Sequence, residues 1–274
     1  MRFDFIGYWS EIKLDIVKEY AAAYSTILSA QQKPRLHHVY IDAFAGAGIH
    51  MSKTTKETVL GSPLNALSIN PPFREYHFID LDGDKIDMLP QMVGQHPDVH
   101  TYTGDCNHIL LKDVFPQVKY EDYRRGLCLL DPYGLHLNWE VVKKAGEMKS
   151  VEIFINFPIM DINRNALWKN PERVSEVGMR RMNAFWGDDS WRNIAYTTER
   201  NFFGEPEKED NATIAKAYKK RLKEIAGFSY VPEPIPMRNT KGAEVYYLFF
   251  ASHKAAAAHI IRDIFDKYRK RGTK

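Results

Sequence analysis

Acidic residues and glycines follow short apolar runs at several points of the sequence, and the first such group is residues 42–48, Asp-Ala-Phe-Ala-Gly-Ala-Gly. Glycine permits positive φ angles and lets the backbone approach a ligand closely. A carboxylate at the head of such a loop suits a ligand that carries a cationic ammonium group. We therefore predict a cofactor-binding loop, whose contact residues are Asp42, Ala43, Phe44, Gly46 and Gly48.

The same loop departs from the fingerprint of dinucleotide-binding proteins. That fingerprint needs a third glycine three residues after the second, and Met51 occupies this position. A pyrophosphate ligand is therefore disfavoured. The alternative interpretation is a tight turn without a ligand.

Two further acidic groups follow later apolar runs. Asp80 is the first acid after the second run, where a carboxylate can accept hydrogen bonds from two ribose hydroxyls. Asp82 either joins it in the cofactor site or caps the next helix. Asp105, with Cys106 beside it, follows the third run and can accept from the exocyclic amine of an adenine. Its alternative role is also a helix N-cap.

The fourth group, Asp131-Pro132-Tyr133, supplies the predicted catalytic residues. An amino nitrogen conjugated to a base ring is a poor nucleophile, and an acceptor that holds its N–H makes the lone pair more available during group transfer. An aromatic face beside that acceptor can stack the base. The alternative is a proline turn in which Tyr133 only packs.

These groups can act together only if the preceding elements form one parallel sheet. Strands are predicted at residues 38–44, 76–80, 99–103, 126–130 and 151–156, with helices at 63–69, 85–92 and 139–145. In open α/β sheets the ligand lies at the carboxyl ends of the strands. An N-terminal helix, capped by Ser10 and ended by Lys33-Pro34, precedes the sheet, and Ser62 is the predicted N-cap of the helix at 63–69.

The rest of the chain predicts two closing strands at residues 230–236 and 245–252, paired as a hairpin, and a final helix at 255–268. Residues 157–211, rich in Arg and Trp, are predicted to form a helical insertion that recognises the substrate. Asn156, Arg164 and Trp168 are the predicted substrate-binding residues, although tryptophans in helices often belong to a core. The fold class is therefore α/β and Rossmann-like, with a seven-stranded, mostly parallel sheet in a single domain over residues 1–274.

Composition limits the classes of function. The 274 residues carry a net charge of +3, which permits a nucleic-acid partner without demanding one. The two cysteines, Cys106 and Cys128, lack the spacing of metal ligands, so no metal site is expected. No apolar stretch approaches the length of about 20 residues that a membrane span needs. We expect a cytoplasmic protein that does not bind membranes.

The order of these four groups along the chain resembles the motifs of class I S-adenosylmethionine (SAM)-dependent methyltransferases, especially those that methylate adenine N6. The groups are the glycine loop, Asp80, Asp105 and Asp131-Pro132-Tyr133. More narrowly, the chain is similar to the three-Cys-motif partner (TcmP) proteins. The stretches that carry this resemblance are residues 9–13 (WSEIK), 40–46 (YIDAFAG), 61–64 (GSPL), 78–82 (FIDLD), 130–134 (LDPYG) and 247–252 (YLFFAS).

The resemblance implies SAM as cofactor, a base amino nitrogen of DNA or RNA as methyl acceptor, and a protein partner. Adenine N6 enzymes usually carry Asp-Pro-Pro-Tyr, whereas this chain has one proline, which displaces the aromatic ring by one position. The alternatives are an inactive methyltransferase-fold subunit that binds nucleic acid or a partner, and a methyltransferase for small molecules or proteins.

Overall fold

A computed structural model describes residues 4–94, 96–200, 206–239 and 241–271. The helices are α1 (Tyr8–Ala30), α2 (Ser62–Leu67), α3 (Gly83–Ile86), α4 (Met88–Val93), α5 (Cys106–Ile109), α6 (Trp139–Met148), α7 (Ile159–Asn165), α8 (Glu176–Trp186), α9 (Trp191–Ala195), α10 (Asn211–Glu224) and α11 (Ala255–Arg271). The strands are β1 (Asp4–Ile6), β2 (His37–Asp42), β3 (Ile49–Ser52), β4 (Thr58–Leu60), β5 (Glu75–Asp80), β6 (Val99–Thr103), β7 (Arg124–Leu130), β8 (Val151–Phe157), β9 (Tyr196–Arg200), β10 (Pro206–Lys208), β11 (Ile235–Arg238) and β12 (Glu244–Ala251).

The main sheet has seven strands in the order β11-β12-β8-β7-β2-β5-β6. Strands β2, β5, β6, β7 and β8 are parallel, and β12 runs antiparallel to both of its neighbours, β8 and β11. A reversed strand inserted next to the edge, after five parallel ones, is the arrangement of class I methyltransferases. The predicted fold class and its closing hairpin are confirmed, although the first hairpin strand is Ile235–Arg238 rather than residues 230–236.

Apolar side chains cover both faces of the sheet. The central strand β7 is buried over its last five residues, which explains its continuous apolar run. One face packs against α6, α8 and α10, and the other against α1, α2 and α11. At the second face the first and last helices touch, and Glu19 of α1 accepts a hydrogen bond from the ammonium of Lys267 in α11 at 2.6 Å.

The predicted caps of the two early helices are wrong. Helix α1 begins at Tyr8 rather than after Ser10, with Gly7 as its N-cap, and it ends at Ala30, before Lys33. Helix α2 begins at Ser62 itself, and the N-cap is Gly61. Glycine is tolerated at this position because it takes the extended conformation there without strain, so neither serine is needed as a cap.

A small sheet of β1, β3 and β4, which the sequence did not predict, lies between the glycine loop and α2. Strand β1 pairs with β3 in parallel, and the ammonium of Lys85 in α3 contacts Asp4 of β1 at 2.7 Å. Ser52 of β3 donates a hydrogen bond to Glu11 of α1 at 2.8 Å. These contacts tie β1 to β3 and α3, and the start of α1 to β3.

The stretch 157–211, predicted to be a helical insertion, contains α7, α8 and α9 and also an antiparallel ribbon of β9 and β10. Residues 201–205 of this stretch lie outside the described residues. Trp186 and Trp191 are buried, so both belong to the hydrophobic core, as tryptophans in helices often do. Across the part of the chain that is described, no helix is both long and apolar enough to cross a membrane.

Candidate active site

The carboxyl ends of four neighbouring strands bring the predicted acidic residues to one edge of the sheet. Asp42 ends β2, Asp80 ends β5, and Asp105 and Asp131 follow β6 and β7. Two adjoining cavities open at this edge. Cavity A, of about 650 Å³, is lined by residues that include Asp80, Asp105, Cys106, Asn107 and Arg180. Cavity B, of about 460 Å³, is lined by residues that include Ser10, Lys13, Gly46, Asp131 and Asn156.

Phe44 and Tyr133 line both cavities and therefore mark the boundary between them. Phe44 lies in the glycine loop, and Tyr133 follows β7 with 67% of its surface exposed. Pro132 is buried and belongs to the lining of cavity B. An extended ligand that occupied both cavities would contact both residues.

The two loop glycines play different roles. Both have positive φ angles, +62° at Gly46 and +78° at Gly48. A Cβ added at Gly48 would lie 2.6 Å from Leu89, so the loop packs tightly against α4 there. At Gly46 such a Cβ would meet no atom of the described residues within 4 Å, so the backbone borders open space. Only Gly46 therefore leaves room for a ligand against the backbone.

The loop continues into strand β3, and Met51, at the place of the missing third glycine, is a β3 residue. A dinucleotide site would place its pyrophosphate at the N-terminus of a helix that directly follows the loop. The local geometry therefore agrees with the prediction against a pyrophosphate ligand.

Asp42 lies below the loop, fully buried, and Ala43 beside it is buried too. The carboxylate accepts a hydrogen bond from the N–H of Phe44 at 3.2 Å. Burial raises the pKa of Asp42 to about 7, against the lowering effect of hydrogen bonds from Ser62 and Phe44. The structure thus places Asp42 as a support of the loop, where we had predicted a residue that contacts the ligand.

The raised pKa of Asp42 predicts a pH dependence of stability. Because the folded protein holds this proton more tightly than the unfolded chain, the free energy of unfolding should fall as the pH rises from about 4 to about 7, by up to about 1.4 kcal/mol per pH unit. Asp42→Asn should remove this slope, as denaturant titrations at several pH values can show. Asp263→Asn, a substitution of an exposed residue on α11, is the control. If the free energy of unfolding depends on pH in the same way in the wild type and in Asp42→Asn, the prediction is wrong.

Asp80 links the loop to cavity A. One carboxylate oxygen accepts the N–H of Gly46 at 2.7 Å and the other accepts that of Asp82 at 2.9 Å. Each oxygen keeps a lone pair for a further donor. Asp82 instead accepts the N–H of Asp84 at 3.1 Å as the N-cap of α3, and it is not among the described residues that line either cavity. The capping alternative therefore describes Asp82 best.

Asp105 is both a helix cap and a wall of cavity A. It accepts hydrogen bonds from the N–H and the side-chain amide of Asn107 at 3.0 and 2.8 Å, through the same oxygen. The side chain of Asn107, which sequence reasoning missed, also binds the backbone of His136 and Asn138 in the loop after β7. Burial raises the pKa of Cys106 to about 12, so this residue is a neutral thiol in the cavity wall.

Asp131 forms a partly buried charge pair that the sequence did not predict. Its carboxylate accepts hydrogen bonds from the ammonium of Lys13 in α1 and, at 2.8 Å, from the side-chain amide of Asn156 in β8. Although burial alone would lower it, the Asp131 carboxylate raises the pKa of Lys13 above its usual range. Lys13 is 7% exposed and lies on the buried face of α1, which is the one sequence signal that could have revealed it.

Asn156 belongs to the lining of cavity B and holds a buried, unused acceptor. The residue is 8% exposed, and its side-chain carbonyl oxygen has no hydrogen-bond partner among the described residues. A buried carbonyl without a partner is costly, and a donor group of a ligand can satisfy it. The predicted placement of Asn156 near the substrate is therefore compatible with the geometry.

The other two predicted substrate-binding residues lie elsewhere. The indole N–H of Trp168 donates to the backbone carbonyl of Arg164 at 2.6 Å, and neither residue belongs to the described lining of cavity A or B. Arg180 and Arg181 of α8 line cavity A instead, both exposed and without an acidic partner within the described ranges. The insertion thus contributes different arginines to the site from the one that we predicted.

Comparisons of the sequence with known protein families and with curated proteins find no match. Comparisons with solved structures find distant resemblances. Protein LPL1258 from Legionella pneumophila, assigned to family DUF519, shares 11% identity over 93% of this chain and 91% of its own, with a TM-score of 0.49. The methyltransferase domain of the bacterial protein CtHen1-CN shares 9% identity over 86% of this chain and 99% of its own, with a TM-score of 0.42.

The trans-methyltransferase CalH, solved with S-adenosylhomocysteine (SAH), shares 14% identity over 85% of this chain and 56% of its own, with a TM-score of 0.39. Similarities of this size do not assign a family or an activity. The fold assignment rests on the strand order of the main sheet.

Proposed function

We propose that this protein is a SAM-dependent methyltransferase that acts on an amino nitrogen of a nucleic-acid base, with adenine N6 as the favoured acceptor. One observation carries the proposal: cavities A and B adjoin at Phe44 and Tyr133. Asp80 and Asp105 line cavity A, and the Lys13–Asp131 pair lines cavity B. The first cavity suits the nucleoside of the cofactor and the second suits its reactive end and the acceptor.

The residues that are present fit the cofactor. The spare lone pairs of Asp80 can accept from ribose hydroxyls, and the second carboxylate oxygen of Asp105 can accept from the adenine amine. The open backbone at Gly46 leaves room for the amino-acid part. SAM supplies an activated methyl group, and a fold of this class then contributes mainly orientation.

Cavity B also offers positive charge for the carboxylate of that amino-acid part. Gly7 and Ser10, at the N-terminus of the long helix α1, line the cavity, and helix N-termini favour anions. Lys53, exposed on the same wall, has no acidic partner among the residues that the structure describes. Both features favour a carboxylate at this end of the site.

The acceptor is inferred from the groups that face it. Asn156 offers a free carbonyl oxygen and Asp131 a carboxylate, so a substrate with N–H donors satisfies both. Lys13 places a positive charge beside the Asp131 carboxylate. The exposed rings of Tyr133 and Phe5, which both line cavity B, offer faces on which a planar base can stack. A base must leave its duplex stack to reach them.

A second candidate is a binding subunit that keeps the fold without catalysing transfer. Both oxygens of Asp131 already have protein partners, and the unpaired Arg180 and Arg181 can bind phosphates. Under either proposal, the chain is a member of the TcmP family and acts with a protein partner.

Calorimetric titration with SAM tests the cofactor site. Asp80→Ala should weaken SAM binding by about ten- to a hundredfold, because hydrogen bonds to a charged group contribute about 1.5–3 kcal/mol. Asp84→Ala, an exposed acid on α3, is the matched control and should bind as wild type does. If the wild-type protein produces no binding heat with SAM, the proposal fails.

Transfer of a tritiated methyl group to mixed DNA and RNA then distinguishes the two candidates. Label that enters the polymer supports the enzyme. SAM binding together with tight, salt-dependent polymer binding, but without label, supports the binding subunit.

A further inference from the structure

A third cavity, cavity C, lies at the amino edge of the sheet, opposite the candidate active site. Arg125 at the start of β7 and Glu152 at the start of β8 belong to its lining, which encloses about 470 Å³. The second half of α1 and the first half of α11 form its walls. As far as the chain is described, cavity C shares no lining residue with cavities A and B. Its volume lies in the range of about 300–1,000 Å³ that is typical of small-molecule sites.

The walls of cavity C are largely apolar. They are formed by aliphatic and aromatic side chains of α1, of the loop that follows it and of α11, among them Tyr24, Ile27, Leu28, Leu36 and Ile260. Ile27 is 44% exposed, so apolar surface continues to the opening. Such walls favour a ligand with an aromatic or aliphatic body.

The charged groups of the cavity are unbalanced. Arg125, Lys149 and Lys254 line it, and none has an acidic partner within the described segments. The single acidic residue of the described lining, Glu152, accepts hydrogen bonds from the hydroxyls of Tyr20 and Ser252 and is thus already satisfied. Arg125 stacks on the ring of Tyr120 and donates to the backbone carbonyls of Tyr120 and Arg124, so the exposed Lys149 and Lys254 are the cations that remain for a ligand.

We propose that cavity C binds a small amphipathic anion, with an aromatic or aliphatic body and one carboxylate, sulfonate or phosphate group. The body occupies the apolar walls of α1 and α11. The anionic group lies near the exposed Lys149 and Lys254 at the opening, with Arg125 beside them. This site is independent of the proposed methyl transfer, because its residues do not enter cavities A and B.

The probe for this site is anilinonaphthalene sulfonate (ANS), an aromatic anion that fluoresces in apolar surroundings. The wild-type protein should bind ANS with enhanced fluorescence. Lys149→Glu/Lys254→Glu should weaken binding by about tenfold or more, because both charges at the opening are reversed. Ala256→Trp, which places a large ring on the lining of cavity C, should abolish the enhancement.

The control is Lys112→Glu/Lys216→Glu, which makes the same change of charge at two exposed sites outside cavity C and should leave ANS binding unchanged. Excess SAH should not displace the probe, and circular dichroism should show that all variants are folded. Equal ANS binding by wild type and both cavity variants, or displacement by SAH, would overturn the proposal. So would a wild-type protein that shows no enhancement but sediments with anionic phospholipid vesicles through Lys149 and Lys254, because the cations would then serve a membrane surface.

Discussion

Asp131→Asn is expected to reduce methyl transfer by about 10²- to 10⁴-fold, the range over which a positioned proton acceptor contributes to catalysis. The carboxylate lies in cavity B beside Asn156 and Lys13, where an amino group of the acceptor would lose its proton during transfer. The contacts of the nucleoside of SAM should change little, because Asp131 is not among the described residues that line cavity A. Single-turnover transfer and calorimetry measure the two effects separately.

A loss of stability could imitate this result, because Asp131→Asn leaves the ammonium of Lys13 buried without a counter-charge. The double variant Lys13→Met/Asp131→Asn removes both charges and should regain stability relative to the single variant. It should remain inactive. Asp263→Asn on the surface of α11 is the control, and full transfer by a folded Asp131→Asn protein would rule out the proposed role.

Gly48→Ala is expected to lower the free energy of unfolding by about 2–5 kcal/mol. A left-handed conformation costs a residue with a Cβ about 1–2 kcal/mol, and overpacking adds about 1–3 kcal/mol. Here φ is +78° and the new methyl group would lie 2.6 Å from Leu89 and 3.3 Å from Leu64. Denaturant unfolding measures the change.

Gly46→Ala is the matched comparison in the same loop. Its φ of +62° imposes a similar backbone cost, but the described part of the chain leaves the methyl group free of contacts, so the loss should be only about 1–2 kcal/mol. The methyl group would instead occupy space beside cavity B, so SAM binding should weaken in a protein that remains folded. Equal losses of stability in the two variants would show that contact with Leu89 does not matter.

The sequence predicted the strands and the acids at their ends because both signals are local. The run before Asp131 is continuously apolar since β7 is covered on both faces, and its end is marked by Asp131-Pro132. Asp80 and Asp105 could be placed in the same way. Their capping contacts, and the burial of Asp42 beneath the loop, depend on neighbouring elements and could not be decided from the pattern.

Contacts between distant residues were beyond sequence reasoning. Lys13 and Asp131 are 118 positions apart, and the only hint is a lysine on the apolar face of α1. Strands β1 and β4 have three residues each, too few to show an alternating pattern. For the insertion, composition indicated arginines near the substrate, but only the packing of α8 shows that Arg180 and Arg181 face cavity A.

The contact between α1 and α11 has a consequence for the order in which the site is assembled during synthesis. Helix α1 carries Lys13, yet it is held from behind by α11, through Glu19 and Lys267. On the ribosome, α1 emerges more than 200 residues before its support. A nascent chain that has already exposed every strand-end carboxylate therefore still lacks the helix that packs against α1, the element that carries Lys13.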